Sequence, residues 1–220
     1  MQVRNKLFEL YDNLTPVILP TWLNPIIEDK NSCIKSYVWK TDKIRRIRLC
    51  ELQIRGKFVA ESLVIYPEFN YEAPIFGTEY VKCGNVKYFG TIDFHPLKPS
   101  NEYQQQYIMP YLGDQKDRIK NKSKIYDLDT YFSKKLWIKT DREDFYSEYI
   151  DKLELYLSRY KNCIKKCGQS SAHIYQTNYD NHLSYTDPAY GIIKSYYTKE
   201  FARRYINNFL FDLSQEPPGR

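Results

Sequence analysis

The chain has 220 residues, carries 33 lysines and arginines against 27 aspartates and glutamates for a net charge of +6, and is 42% apolar and 27% charged. That composition belongs to a globular protein with a substantial core, so a disordered chain is excluded, and at about 100–200 residues per domain it predicts one domain over residues 1–220. No apolar run approaches the roughly 18–20 residues of a membrane-spanning helix, and no run of five or six like charges marks a nucleic-acid tail.

In chain order, NKLFELYDNL (residues 5–14) puts Leu7, Phe8, Tyr11 and Leu14 at helical spacing, and Pro16 and Pro20 end it. The same opening has acidic residues and no apolar segment, unlike a secretory or organelle signal, which predicts a cytoplasmic location. From Ile34 the period changes to two. SYVWKTD, RRIRLCELQIRG and KFVAESLVIYP alternate or run apolar, and Gly56 between the last two reads as a turn. NYEAPIFGTEYVKCGNVKYFGTIDFHPL continues as strands around a Gly84-Asn85 turn. Residues 101–136 are polar without a clean strand period. Residues 143–167 put Phe145, Tyr149, Leu153, Tyr156 and Tyr160 on one helical face before Gly168, and KSYYTKEFARRYINNFLF predicts one C-terminal helix ahead of a loose tail at 216–220. Helices at both ends of a strand meander predict an α/β fold, a three-layer α/β/α sandwich with a central antiparallel sheet.

Five cysteines, odd in number and scattered, argue against a disulfide framework. Cys163 and Cys167, with His173 nearby, fall short of the four ligands of the common zinc patterns, so no metal is expected, and neither glycine-rich nucleotide motif is present. In YTDPAYG, Asp187 before Pro188 reads either as turn chemistry or as a placed acid, and the heptapeptide does not choose between them. Tyrosine is frequent, at 22 residues; with the positive charge it keeps a nucleic-acid-binding surface open as a rival reading.

Taken together, YPEFNYEAPIFGTEYVK, YFGTIDFHPL, YFSKKLWIK and YTDPAYGIIKSYYTKEFARRYINNFLFDL resemble the ferredoxin-dependent bilin reductases, over roughly Lys43 to Leu213. The most specific block is Asp187-Pro188-Ala189-Tyr190-Gly191, closing with Phe209-Leu210-Phe211-Asp212. The resemblance implies that Asp187 is a catalytic carboxylate facing an open-chain tetrapyrrole. It also places a second acid after Pro74-Ile75-Phe76-Gly77-Thr78, where this chain has Glu79 instead of the usual aspartate. The histidine and glutamate used by phycocyanobilin-forming members map near Gln53, Arg55 and Ser62, which disfavours that activity; DFHPL followed by NEYQQQYIMPYL looks closer to the phycoerythrobilin-forming branch.

By the same resemblance, the substrate is a bilin, biliverdin or 15,16-dihydrobiliverdin, reduced towards phycoerythrobilin, and the electrons come from a reduced [2Fe-2S] ferredoxin because the chain has no cofactor of its own. A reductase that stops at 15,16-dihydrobiliverdin, a four-electron enzyme and a non-catalytic bilin carrier are the alternatives. Ser133, Lys134, Lys194 and Arg55 are candidate partners for the pigment's propionates. Phe76, Phe94, Tyr197 and Phe211 are candidate lining residues. Lys43, Arg45, Arg46, Arg48, Lys165 and Lys166 form the expected docking surface for an acidic ferredoxin. The protein is expected to act as a monomer, with no membrane and no nucleic acid among its partners.

Overall fold

The computed structural model describes residues 2–24, 26–29, 31–112, 130–167 and 172–215; the tail at 216–220, Gly168 and the side chain of Lys166 lie outside them. The chain opens with helix α1 (Gln2–Leu10) and runs through strands β1 (Thr15–Pro16), β2 (Ile26–Asp29), β3 (Ser32–Lys40), β4 (Ile44–Ile54), β5 (Phe58–Pro67), β6 (Ile75–Cys83) and β7 (Lys87–His95). Short helices α2 (Asn101–Tyr107) and α3 (Met109–Leu112) follow, then β8 (Trp137–Asp141), α4 (Tyr146–Lys166), α5 (His173–Thr186), α6 (Ala189–Tyr196), α7 (Lys199–Tyr205) and a π-helical turn at Ile206–Leu210.

The strands form one eight-stranded antiparallel sheet in the order β1-β3-β4-β5-β6-β7-β8, with β2 also pairing β3. Gly56 (φ 68°) and Gly84 (φ 58°) take left-handed backbone at the β4–β5 and β6–β7 turns, where a side chain would be strained. Both turns stand where the sequence places them.

Helices cover both faces. On one, α1, α2, α3 and α4 pack on the odd-numbered residues of β4 and β5 and the even-numbered ones of β6 and β7: Ile47, Leu49, Leu63, Phe76 and Phe94 against Leu7, Leu153, Tyr156 and Tyr160. The opposite face meets α6, α7 and the π-helical turn through Cys50, Leu52, Ile193, Tyr205, Phe209 and Phe211. The α/β sandwich read from the sequence is the observed architecture.

Differences from the sequence reading are local. The C-terminal aromatic stretch is not one helix, because Thr198 leaves helical geometry (ψ 156°) and its side chain caps Phe201 N, starting α7 afresh. Helix α5 lies where its weak amphipathicity gave no signal, and the polar stretch after residue 100 opens with α2, capped by Ser100. Among the described residues, no helix is long and apolar enough to cross a membrane.

Candidate active site

Period-two alternation gives each strand one side chain for the packed face and the next for the face under α5 and α6. On that second face the strand register lines residues up in rows across the sheet. Arg48, Val64, Gly77 and Asp93 form one row; Cys50, Ser62, Glu79, Thr91 and Ile138 the next; Leu52, Ala60, Val81, Phe89 and Thr140 a third. All of them line a cavity of about 820 Å³, roofed by Tyr179, Leu183, Asp187, Ile192, Ile193 and Phe211. A volume of that size suits a small organic molecule rather than an ion.

Asp187 enters this cavity from the break between α5 and α6. Pro188 forces the residue before it out of helical geometry (ψ 123° at Asp187), and Asp187 Oδ1 then accepts a 2.7 Å hydrogen bond from Ala189 N at the start of α6. The turn and the placed acid are thus one arrangement. Glu79 stands on the facing sheet, in the middle row. Burial pushes the Glu79 carboxyl up to about 7, and the negative charge of Asp187 adds to the shift while Arg48 opposes it. Burial also raises Asp187, opposed by its bond from Ala189 N and by Arg48. Two carboxyls whose pKa values are raised by burial, together in one cavity, have the character of candidate proton donors.

A second polar group occupies one end of the floor. Asp93, 1% exposed, accepts bonds from Ser133 N (2.7 Å) and Ser133 Oγ, and burial pushes its carboxyl up to about 7 against those bonds. His95 Nδ1 lies 3.4 Å from Asp93 Oδ2 and 3.1 Å from the Tyr131 carbonyl. Burial takes the imidazole down to about 3, so His95 is neutral and its Nδ1 is the protonated nitrogen that donates to Tyr131 O. Its ring occupies the space left by Gly77, where an added Cβ would meet His95 Nε2 at 2.1 Å. The glycine of the PIFGTE segment is therefore a seat for an imidazole.

Of the other residues proposed from sequence, Phe211 lines the cavity, 1% exposed. Phe76 and Phe94 do not: they pair in register on the packed face, their rings against Tyr160. Ser133 is fully buried as the partner of Asp93, closed to a propionate. Lys134 reaches out to Asn101 (2.7 Å) and Lys194 lies exposed over the Tyr190 ring. Tyr197 accepts from Ser32 outside the cavity, and Gln53 and Arg55 line a separate shallow cleft.

The docking residues divide as well. Arg45 and Arg46 are withdrawn from solvent and tied to Asp212 at 2.7 and 3.1 Å, so they fasten the C-terminus to β4 rather than offer surface charge. Arg48, from the same run, is in the cavity. Lys165 stays exposed and Lys43 is half-buried over Tyr71. Sequence reasoning missed Cys50, Asp93, His95, Tyr179 and Lys87 of the lining; counting outward from Glu79 by twos and across the Gly84 turn would have found Asp93. Cys163 and Cys167 are buried free thiols with sulfurs 3.9 Å apart.

The fold is thus an antiparallel sheet between helical layers, opened on one face into a cavity that is lined by two desolvated acids. The chain belongs to the ferredoxin-dependent bilin reductases, whose family model matches residues 4–212, and it is an oxidoreductase. It is 29% identical to a 15,16-dihydrobiliverdin:ferredoxin oxidoreductase of Nostoc punctiforme, over 96% of this chain and 92% of that protein. It is 28% identical to the protein of the same name from Gloeobacter violaceus, over 99% of this chain and 97% of that one. Among solved structures, phytochromobilin synthase from tomato in complex with biliverdin shares the fold, with a TM-score of 0.77 at 15% identity over 96% of this chain and 80% of that one.

Proposed function

We propose that the chain reduces biliverdin across its 15,16 double bond to 15,16-dihydrobiliverdin, on the route to phycoerythrobilin, with reduced [2Fe-2S] ferredoxin as the electron source. The reaction adds two electrons and two protons, one hydrogen each to C15 and C16. Ferredoxin supplies the electrons singly. Glu79 and Asp187 supply the protons, each acid being recharged from solvent after turnover. The observation that carries this reading is the pair itself: one carboxyl from the sheet and one from the helical roof, both raised by burial, on facing walls of a cavity of about 820 Å³. The relatives named for this reaction support the choice of bond.

The cavity walls serve the same chemistry. Leu52, Val64, Val81, Ile138 and Ile192 keep water from a partly reduced pigment, and Phe211 gives an aromatic surface to a flat conjugated system. Lys87 is exposed where β7 begins and lines the cavity, so it is the propionate partner that the geometry favours over Ser133 and Arg55.

The test is an anaerobic assay with biliverdin and a ferredoxin-reducing system, followed by absorbance and by chromatography against authentic 15,16-dihydrobiliverdin. Conversion to that product is expected. A stable pigment complex that reduced ferredoxin leaves unchanged would make the protein a carrier, and a product that retains the 15,16 double bond would refute the regiochemistry. Nucleic acid binding in place of pigment binding, with a steep salt dependence, would favour the rival reading of the basic surface.

A further inference from the structure

Three arginines stand within four residues of β4 and meet different fates. Arg45 and Arg46 are paired with Asp212. Arg48 is 2% exposed and has no carboxylate within 4.0 Å among the described residues. Its Nη1 donates to Ser62 Oγ at 3.1 Å, its guanidinium carbon lies 5.9 Å from the centroid of the Phe211 ring, and its Nε is buried without a partner. A guanidinium has only donors, and burying one without an acceptor is costly. Glu79 and Asp187 are close enough for its charge to oppose their shifts, yet neither forms an ion pair with it.

We infer that Arg48 anchors a lactam carbonyl oxygen of the bound tetrapyrrole, and so sets which end of the pigment lies against Glu79 and Asp187. This rests on the reading that the bilin occupies this cavity. The two ends of a bilin are lactam rings, each with a carbonyl oxygen beside an N–H. An edge of that kind matches a wall that presents a pure donor, Arg48, next to groups that can accept from N–H, the cavity acids. A propionate matches poorly. Brought to Arg48 it would give up its hydration and add a third negative group beside two acids already raised by burial. A lactam oxygen is neutral, and it gains electron density as the pigment takes up an electron, so a fixed guanidinium at that oxygen favours the reduced form.

Arg48 is thereby a specificity residue. With the oxygen of one terminal ring held at β4, the neighbouring methine bridge falls opposite the acids, and the other end of the pigment does not.

The experiment measures the lactam C=O stretch of bound biliverdin by isotope-edited vibrational spectroscopy, beside the affinities for biliverdin and its dimethyl ester. In the unmodified protein the stretch should lie below its value in an aprotic solvent. Arg48→Gln and Arg48→Met should move it back up and weaken binding about 10- to 100-fold, the worth of a hydrogen bond from a charged donor, equally for acid and ester. Arg48→Lys should recover part of the shift, and Arg48→Gln should yield products reduced at more than one position. A band that ignores Arg48, or an affinity loss that vanishes with the dimethyl ester, overturns the assignment while leaving the bilin-reductase reading intact. Failure of the unmodified protein to bind biliverdin overturns both. Should the neutral variants not fold, the unmodified protein decides alone: a carbonyl band at the aprotic value refutes the anchor.

Discussion

The two faces of the sheet are built by the same strands and follow opposite rules. Towards α4, Phe76 and Phe94 meet Tyr156 and Tyr160 with ring centroids between 5.2 and 6.2 Å apart, and all four side chains are fully buried. On the alternate residues of these strands and of β5, the opposite face shows Ser62, Glu79, Thr91 and Asp93 around open space. Aromatic density in this chain marks the closed side. The cavity is lined by small and polar residues between the large ones, so on the proposed function stability and catalysis should separate by residue parity.

The strongest way to sharpen that contrast is Asp187→Asn. The amide oxygen can still accept from Ala189 N, so the turn persists, but the exchangeable proton is gone. Turnover should fall about 10²–10⁴-fold with the melting temperature nearly unchanged, measured by product formation beside thermal unfolding. Equal losses in both would erase the distinction between the faces. Phe76→Ala is the mirror experiment: denaturant unfolding should show a loss of about 3–5 kcal/mol, while the fraction that stays folded in the cold retains its rate.

Gly77→Ala tests the boundary itself. Its methyl group would meet His95 Nε2, so a cost of about 1–3 kcal/mol and weaker pigment binding are expected, with stability recovered by adding His95→Ala. Changing pH gives the smallest signal. Carboxyls whose folded pKa is raised, Glu79, Asp93 and Asp180, contribute stability that is full below their unfolded values and is lost as pH rises through about 7. The ligand-free protein should therefore melt lower at pH 8 than at pH 5. Glu79→Gln should recover about 2–4 °C at pH 8, whereas Phe76→Ala should shift the whole curve without changing its slope.

Much of this was legible in the chain. Alternation gave the strands, two glycines gave the turns, and the resemblance singled out Asp187 and Glu79, which the fold brings to one cavity. What period two does not reveal is which face opens. Phe76 and Phe94 are expected to line the pocket, and their immediate neighbours Gly77 and Asp93 line the cavity instead. The basic run of β4 was equally opaque, because charge is local and pairing is not: Asp212, which occupies Arg45, lies 167 residues further on. Helix α5 was silent because its buried side, Gln176, Tyr179, Asp180 and Ser184, is polar or half-polar.

The strand register has a consequence for how such a protein can change. Pairing fixes Cys50, Ser62, Glu79 and Thr91 as one row, so the four positions behave as teeth of a single ruler. Exchanging the side chain at a tooth changes what faces the cavity and leaves the ruler intact. One residue inserted inside β6 ahead of Glu79 would instead turn that acid into the packed aromatic layer and send its neighbours to the cavity. Variation by exchange is open to this scaffold, and variation by length within its strands is closed.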